Sequence, residues 1–248
     1  MCSACDTPAT DPVEGATPTR LTVRAAARSE QGTHRAQREH VAALHDLLVT
    51  NALVTWTAGN VSERVPGEDL FVIKGSGVEY DELTWEGITV CDLDGKTVDG
   101  VRAPSSDTDA HAYVYRAMPE VNGQVHTHST YAAAWAARAE PVPCVLTAMA
   151  DEFGGPIPIG PFALIGDDSI GRGIVDTLAG HRSKAVFMQN HGVFTIGKSA
   201  KAAVKAAVMA EDVARTVHIS RQLGEPVPIP QADIDALYER YQNVYGQK

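Results

Sequence analysis

The sequence predicts an α/β layered domain on a largely antiparallel or mixed sheet, and three observations lead there. Short apolar stretches of strand character alternate with longer stretches of helical period, which calls for a sheet with helices packed on it. Several strands follow one another with only a turn between them, whereas parallel neighbours need a long crossover. The chain has 248 residues, long enough to bury a sizeable core, and its 44% hydrophobic and 21% charged residues match a globular protein.

Taken in order, residues 1–32 are rich in Ala, Thr, Pro and Asp without a hydrophobic period, and read as an unstructured tail ahead of a single domain over 33–248. The tail holds Cys2 and Cys5, spaced as in a zinc half-site, but no matching pair follows to close a tetrahedral site. Residues 34–51 read as an amphipathic helix with Val41, Leu44, Leu47 and Leu48 on one face. Strands are expected over 59–65, 70–74, 88–93, 123–128, 185–189 and 193–196, separated by Gly, Pro, Asp and Asn. Helices interleave over 108–118, 130–138 and 169–178. A long helix fills 199–223, with Ser199 as N-cap and Gly224 closing it. A last helix over 231–242 leads into Tyr245-Gly246-Gln247-Lys248.

Composition narrows the partners. A net charge of −10 argues against nucleic acid, which needs a clustered basic face. An anionic substrate would therefore have to be held locally, by backbone amides and a few donors. No apolar run reaches the roughly 18 residues of a membrane span, and no secretory signal is visible. Cys91 on a strand and Cys144 in a loop read as reduced thiols of a cytoplasmic protein. Neither a dinucleotide-binding nor a P-loop motif is present.

The segment Val125-His126-Thr127-His128-Ser129 carries the strongest local signal. Alternate side chains of a strand share a face, so His126 and His128 form a chelating pair for zinc or a similar ion. The plainer alternative is two half-buried, hydrogen-bonded histidines. A third imidazole favours the metal: Gln189-Asn190-His191-Gly192 ends an apolar strand at a glycine turn that lets His191 point into a cleft. Three imidazoles with an open position are the catalytic form of a zinc site. His111 lies in a helical stretch and ranks lower, while His34, His40, His45, His181 and His218 read as surface residues. Three segments resemble oxyanion holders: Ala58-Gly59-Asn60-Val61-Ser62, Lys74-Gly75-Ser76-Gly77 and Pro104-Ser105-Ser106-Asp107-Thr108. The last leads into a helix, whose free amides favour phosphate, although in isolation a plain Ser/Asp cap is the better explanation.

The ordered set GNVS, KGSG, PSSDT, HTHS and QNHG resembles the class II aldolase and L-ribulose-5-phosphate 4-epimerase superfamily, the fold also found in adducin head domains, over roughly residues 35–247. The resemblance implies a three-layer α/β/α fold with a mostly antiparallel sheet, and a homotetramer with active sites between subunits. It implies one zinc, or a replacement such as manganese or cobalt, per subunit on His126, His128 and His191. Gly59, Asn60, Ser76, Gly77, Ser105 and Ser106 would hold a sugar phosphate.

Both branches of the superfamily break a carbon–carbon bond beside a metal-held ketone. An aldolase releases the aldehyde, whereas an epimerase rotates it and re-forms the bond, which requires acid/base groups on two faces. Three features resemble the epimerases and imply C4 inversion of L-ribulose 5-phosphate to D-xylulose 5-phosphate. Asp107 replaces the glutamate typical of fuculose-phosphate aldolases, which implies a fourth metal ligand. Ala150-Asp151-Glu152-Phe153-Gly154 and the terminal Tyr245-Gly246-Gln247 are similar to the epimerase segments that carry the acid/base pair, implying those roles for Asp151, early in a loop, and for Tyr245 from a neighbouring subunit. The chain departs from the best-known epimerases between Pro158 and Val175, and carries Tyr238 and Tyr241 but no histidine in its last helix. The alternatives are an aldolase acting on L-fuculose 1-phosphate or a similar ketose 1-phosphate, a metal-free binding module of the adducin kind, and an unrelated zinc hydrolase.

Overall fold

The computed structural model describes residues 34–244. In chain order it contains α1 (Arg35–Thr50), β1 (Asn60–Arg64), β2 (Leu70–Lys74), β3 (Ile88–Asp92), β4 (Thr97–Asp99), α2 (Thr108–Ala117) and β5 (Gly123–Thr127). Then come α3 (Thr130–Ala137), α4 (Thr147–Phe153), β6 (Ile159–Gly160), α5 (Ser169–Leu178), β7 (Ala185–Met188), β8 (Gly192–Gly197), α6 (Ala200–Leu223) and α7 (Gln231–Asn243). The strands form one sheet in the order β4-β3-β2-β1-β5-β8-β7-β6. Every neighbouring pair is antiparallel except β6 with β7, which α5 connects as a parallel pair requires.

Alternation along the strands sorts the core onto two faces. Val72 of β2, Val61 of β1 and Val125 of β5 pack with Val41 and Leu48 of α1 and the alanines of α6. Further along that face, Phe187 and Val193 meet α3, α4, α6 and Ile234 of α7. On the opposite face, Phe71, Ile73, Val186 and Phe194 pack against α2 and α5. The result is the expected three-layer arrangement. Ser199 accepts from Ala202 N at the start of α6, and Gly224 stands at its end, as anticipated.

Three elements were not foreseen. β4 and β6 are too short to show a period, and α4 covers the segment around Asp151 that reads as a loop in sequence. Seven residues span barely two helical turns, too few for periodicity to separate helix from loop. Cys91 and Cys144 are free and buried. The expected tail with Cys2 and Cys5, and Tyr245, lie outside the described residues. Among the described residues no helix is long and apolar enough to cross a membrane.

Candidate metal centre and substrate cleft

Sheet register assembles the centre. Asn60 of β1 lies opposite His126 of β5, and His126 lies opposite Phe194 of β8. Because Val125 faces α6, His126 must face the other layer, and its ring stacks on Phe194 at a centroid distance of 4.0 Å. His128 follows just beyond the end of β5. There the chain turns into α3, whose Tyr131 and Ala132 amides both donate to the Glu211 carboxylate at 2.9 Å. His191 arrives from the other side. Asn190 adopts a left-handed φ of 56° and His191 N donates to Met188 O, a tight turn that brings the imidazole back over the sheet edge. Gly192 allows the approach, because a Cβ there would stand 2.5 Å from Thr127 O and 2.9 Å from the His128 ring.

The ligand nitrogens of His126, His128 and His191 all lie within 4.8 Å of one another. His126 Nδ1 is 3.0 Å from Val193 O, which can only accept, so its proton is on Nδ1 and the Nε2 lone pair is directed elsewhere. It points at His128 Nε2, 2.9 Å away. Burial lowers the His126 pKa to about 3, and burial also lowers that of His191. Both are neutral at pH 7, the state a metal ligand requires. Converging neutral imidazoles, one with its second nitrogen locked by a carbonyl, fit a divalent ion of the zinc type.

Asp107 lines the same cleft but stands outside that tight nitrogen group. Burial disfavours its charged form, yet the neighbouring His126, His111 and His191 and the Asn60 hydrogen bond outweigh burial and keep its pKa below the usual carboxylate value. It occupies the N-cap position of α2 without a side-chain capping bond, so Asp107 itself does not act as a plain cap. Asn60, expected among the substrate donors, gives its Nδ2 hydrogens to Asp107 Oδ2 at 2.8 Å and to Ser105 Oγ at 3.0 Å. Both amide hydrogens are thereby committed.

The cleft, of about 190 Å³, is lined by residues 57–59, 74–77 and 105–107 together with the three histidines and Ile165. It therefore brings together Gly59, Ser76, Gly77, Ser105, Ser106, Asp107, His126, His128 and His191. Gly59 has a φ of 87°, and a Cβ there would strike Val54 at 2.8 Å and His126 O at 3.0 Å. Residues 39–218, well over half of the chain, match the Class II Aldolase and Adducin N-terminal domain family. The chain belongs to the class II aldolase and adducin family.

Among relatives within that family, the chain is 37% identical over 213 residues to L-ribulose-5-phosphate 4-epimerase UlaF of Salmonella paratyphi B (strain ATCC BAA-1250 / SPB7), covering 79% of this chain and 92% of the relative. It is 40% identical over 182 residues to the protein of that name in Salmonella paratyphi A (strain ATCC 9150 / SARB42), covering 68% and 78%. Among solved structures it is similar to an L-fuculose 1-phosphate aldolase, with a TM-score of 0.79 and 25% identity over 85% of this chain and all of that one. It also shares its fold with an aldolase II superfamily protein from Pseudomonas syringae, at a TM-score of 0.73 and 21% identity, covering 88% and 89%.

Two buried residues were underrated from sequence, and only the first of them lines the cleft. Lys74 is 2% exposed, and its Nζ donates to Thr57 O at 3.1 Å. Burial lowers its pKa to about 8, and among the described residues no carboxylate lies within ion-pair distance of it. The KGSG segment was the available signal. His45, read as a surface residue, is 1% exposed; Val61 N donates to its Nε2 at 3.0 Å, tying α1 to the start of β1. Its spacing from Val41 and Leu48 marked it as buried-face.

Asp151 is not among the residues lining the cleft of its own chain. It sits on α4 against α7, where Arg240 Nη2 lies 3.5 Å from its carboxylate and Gln242 Nε2 donates to its carbonyl at 3.4 Å.

Proposed function

We propose that the protein is a metal-dependent L-ribulose-5-phosphate 4-epimerase, inverting C4 to give D-xylulose 5-phosphate by retro-aldol cleavage and re-addition. One observation carries the reading: a single cleft joins three converging imidazoles to serine-bearing loops and a buried lysine lacking a carboxylate partner among the described residues. One end suits a ketone and its neighbouring hydroxyl, the other a phosphate. The relatives at 37% and 40% identity bear the epimerase name, which supports this branch.

We assign His126, His128 and His191 as metal ligands, with Asp107 as the fourth. The ion bound there, zinc or a substitute such as manganese or cobalt, supplies a Lewis acid that polarises the substrate carbonyl. Hydroxyls of Ser76, Ser105 and Ser106, with the amides of the loop through Gly77, hold the phosphate. Gly59 leaves room for close approach, and Lys74 contributes the single nearby positive charge. Asn60 keeps Ser105 and Asp107 in register. Asp151 and Tyr245 handle protons on opposite faces of the cleaved bond, as inversion demands. Tyr245 follows α7 by two residues, and α7 packs on Asp151. We therefore place both groups on one chain, offered to the cleft of a neighbouring copy within a homotetramer, rather than on different chains.

The test is incubation of purified protein with L-ribulose 5-phosphate while D-xylulose 5-phosphate is followed by NMR. Absence of the product in metal-loaded protein refutes the epimerase. The second reading is an aldolase acting on L-fuculose 1-phosphate, favoured by the solved structure of that name at 25% identity. Release of free aldehyde from that substrate, without epimerised pentulose phosphate, would establish it instead.

A further inference from the structure

One turn after Asp107, α2 carries a histidine that the cleft does not use. His111 is fully buried, and its amide donates to Asp107 O at 3.0 Å. Spacing of four residues puts the two side chains on the same helical face. His111 Nδ1 lies 2.7 Å from Ser62 Oγ, which lies 2.8 Å from the Tyr115 hydroxyl. Gln124 Nε2 donates to the His111 carbonyl at 2.9 Å, so residue 111 is fixed at both backbone and ring. Burial pushes the imidazole pKa down to about 4 against the opposing pull of the Asp107 charge, so the ring is neutral and one nitrogen carries the proton.

The other ring nitrogen is the anomaly. His111 Nε2 is buried with no hydrogen-bond partner among the described residues. Buried polar nitrogens are seldom left so, and such a group is often one that functions in another state of the site. The ring meets Phe194 at a centroid distance of 6.3 Å with the planes 64° apart, and Phe194 offers no hydrogen-bond acceptor. Phe194 is also the ring on which His126 stacks, so one phenyl ring contacts both histidines.

We propose that His111 is a positioning residue for Asp107: the Ser62–Tyr115 pair holds its proton on Nε2, and that N–H donates to the Asp107 carboxylate when the carboxylate serves the histidine cluster. Asn60 steadies one carboxylate oxygen, and His111 steadies the other against rotation. A neutral, hydrogen-bonded imidazole does this without adding charge beside a cation. The inference rests on the role assigned to Asp107 above.

The test uses His111→Phe, which removes Nε2, His111→Gln, which returns a donor, and Ser62→Ala, which releases the tautomer. Loss of such a supporting contact typically costs about 10–100-fold in activity or metal affinity. His111→Phe should lose kcat by about that factor with KM for the sugar phosphate little changed, and should give up its metal more readily to a competing chelator. His111→Gln should regain part of both losses, and Ser62→Ala should move both in the direction of His111→Phe. In an Asp107→Asn background, adding His111→Phe should cost nothing further. Wild-type kcat and metal retention in His111→Phe overturn the proposal, as does a full additional loss in the Asp107→Asn background. If His111→Phe does not fold, unchanged kcat and metal retention in Ser62→Ala overturn it. If Asp107→Asn alone behaves as wild type, the role of Asp107 fails first and the inference with it. An impaired Asp107→Asn beside a normal His111→Phe defeats the inference alone.

Discussion

Gly192 opens β8 beside all three imidazoles, and replacing it with alanine tests how closely the strand ladder controls the metal centre. A Cβ at that position would lie 2.5 Å from Thr127 O, 2.9 Å from His128 Cδ2 and 3.3 Å from His126 Cε1. Ordinary contact begins near 3.4 Å, so the worst approach is too close by about 0.9 Å. Thr127 O belongs to the β5 backbone, paired at Thr127↔Val193, and cannot swing aside as a side chain would. Relief requires β8 to retreat at the end of the ladder that carries His191. Overpacking of this kind costs about 1–3 kcal/mol. For a domain of this size each kcal/mol lowers Tm by about 2–4 °C, so Gly192→Ala should melt about 2–12 °C lower. Because the strain falls on the ligands, metal affinity should also drop about 10–100-fold. Thermal unfolding of metal-free protein measures the first effect, and competition with a chelator measures the second. Unchanged metal affinity despite a lowered Tm would refute the idea that this glycine sets the ligand geometry, and no change in either would refute the packing argument itself.

His126→Asn should strip the metal and abolish turnover while leaving a folded protein; full activity in metal-free wild-type protein would defeat the metal assignment. Ser105→Ala and Ser106→Ala should each cost about 1.5–3 kcal/mol of phosphate binding, seen mainly as a raised KM, and unaltered KM in the double variant would put the phosphate elsewhere. Asp151→Asn and Tyr245→Phe should each lose about 10²–10⁴ in rate with normal metal content. Mixing Asp151→Asn with His126→Asn chains under subunit exchange should restore activity, whereas mixing Asp151→Asn with Tyr245→Phe should not. Recovery in the latter mixture would place the two groups on different chains. Burial holds His45 at a pKa of about 3, far below its unfolded value. Its contribution to stability is therefore complete above pH 6.5 and is lost as pH falls towards 3, at up to about 1.4 kcal/mol per pH unit. Denaturant midpoints between pH 7 and pH 4.5 should fall accordingly and more gently in His45→Asn, and equal slopes in the two proteins would contradict the assignment.

Apart from β4, β6 and α4, the order of strands and helices is legible in the chain's hydrophobic periods, which are local. Local pattern also marked the metal candidates: His126 and His128 share a face by strand alternation alone, and the Asn-His-Gly run signalled a turn, although its left-handed residue is Asn190 and not the glycine. The motif order then located the loops that line the cleft. Other features depended on which distant segments meet. Asn60 bonds to Ser105 and Asp107 because antiparallel register sets it opposite His126 and within their reach. Lys74 acquired its shifted protonation from burial that no local pattern encodes, whereas the burial of His45 follows from its helical spacing. Asp151 gained a helix too short to leave a period, and its place against α7, away from its own cleft, follows from packing between elements about ninety residues apart. Register, burial and long-range packing are properties of the whole folded chain, and a local reading of residues cannot supply them.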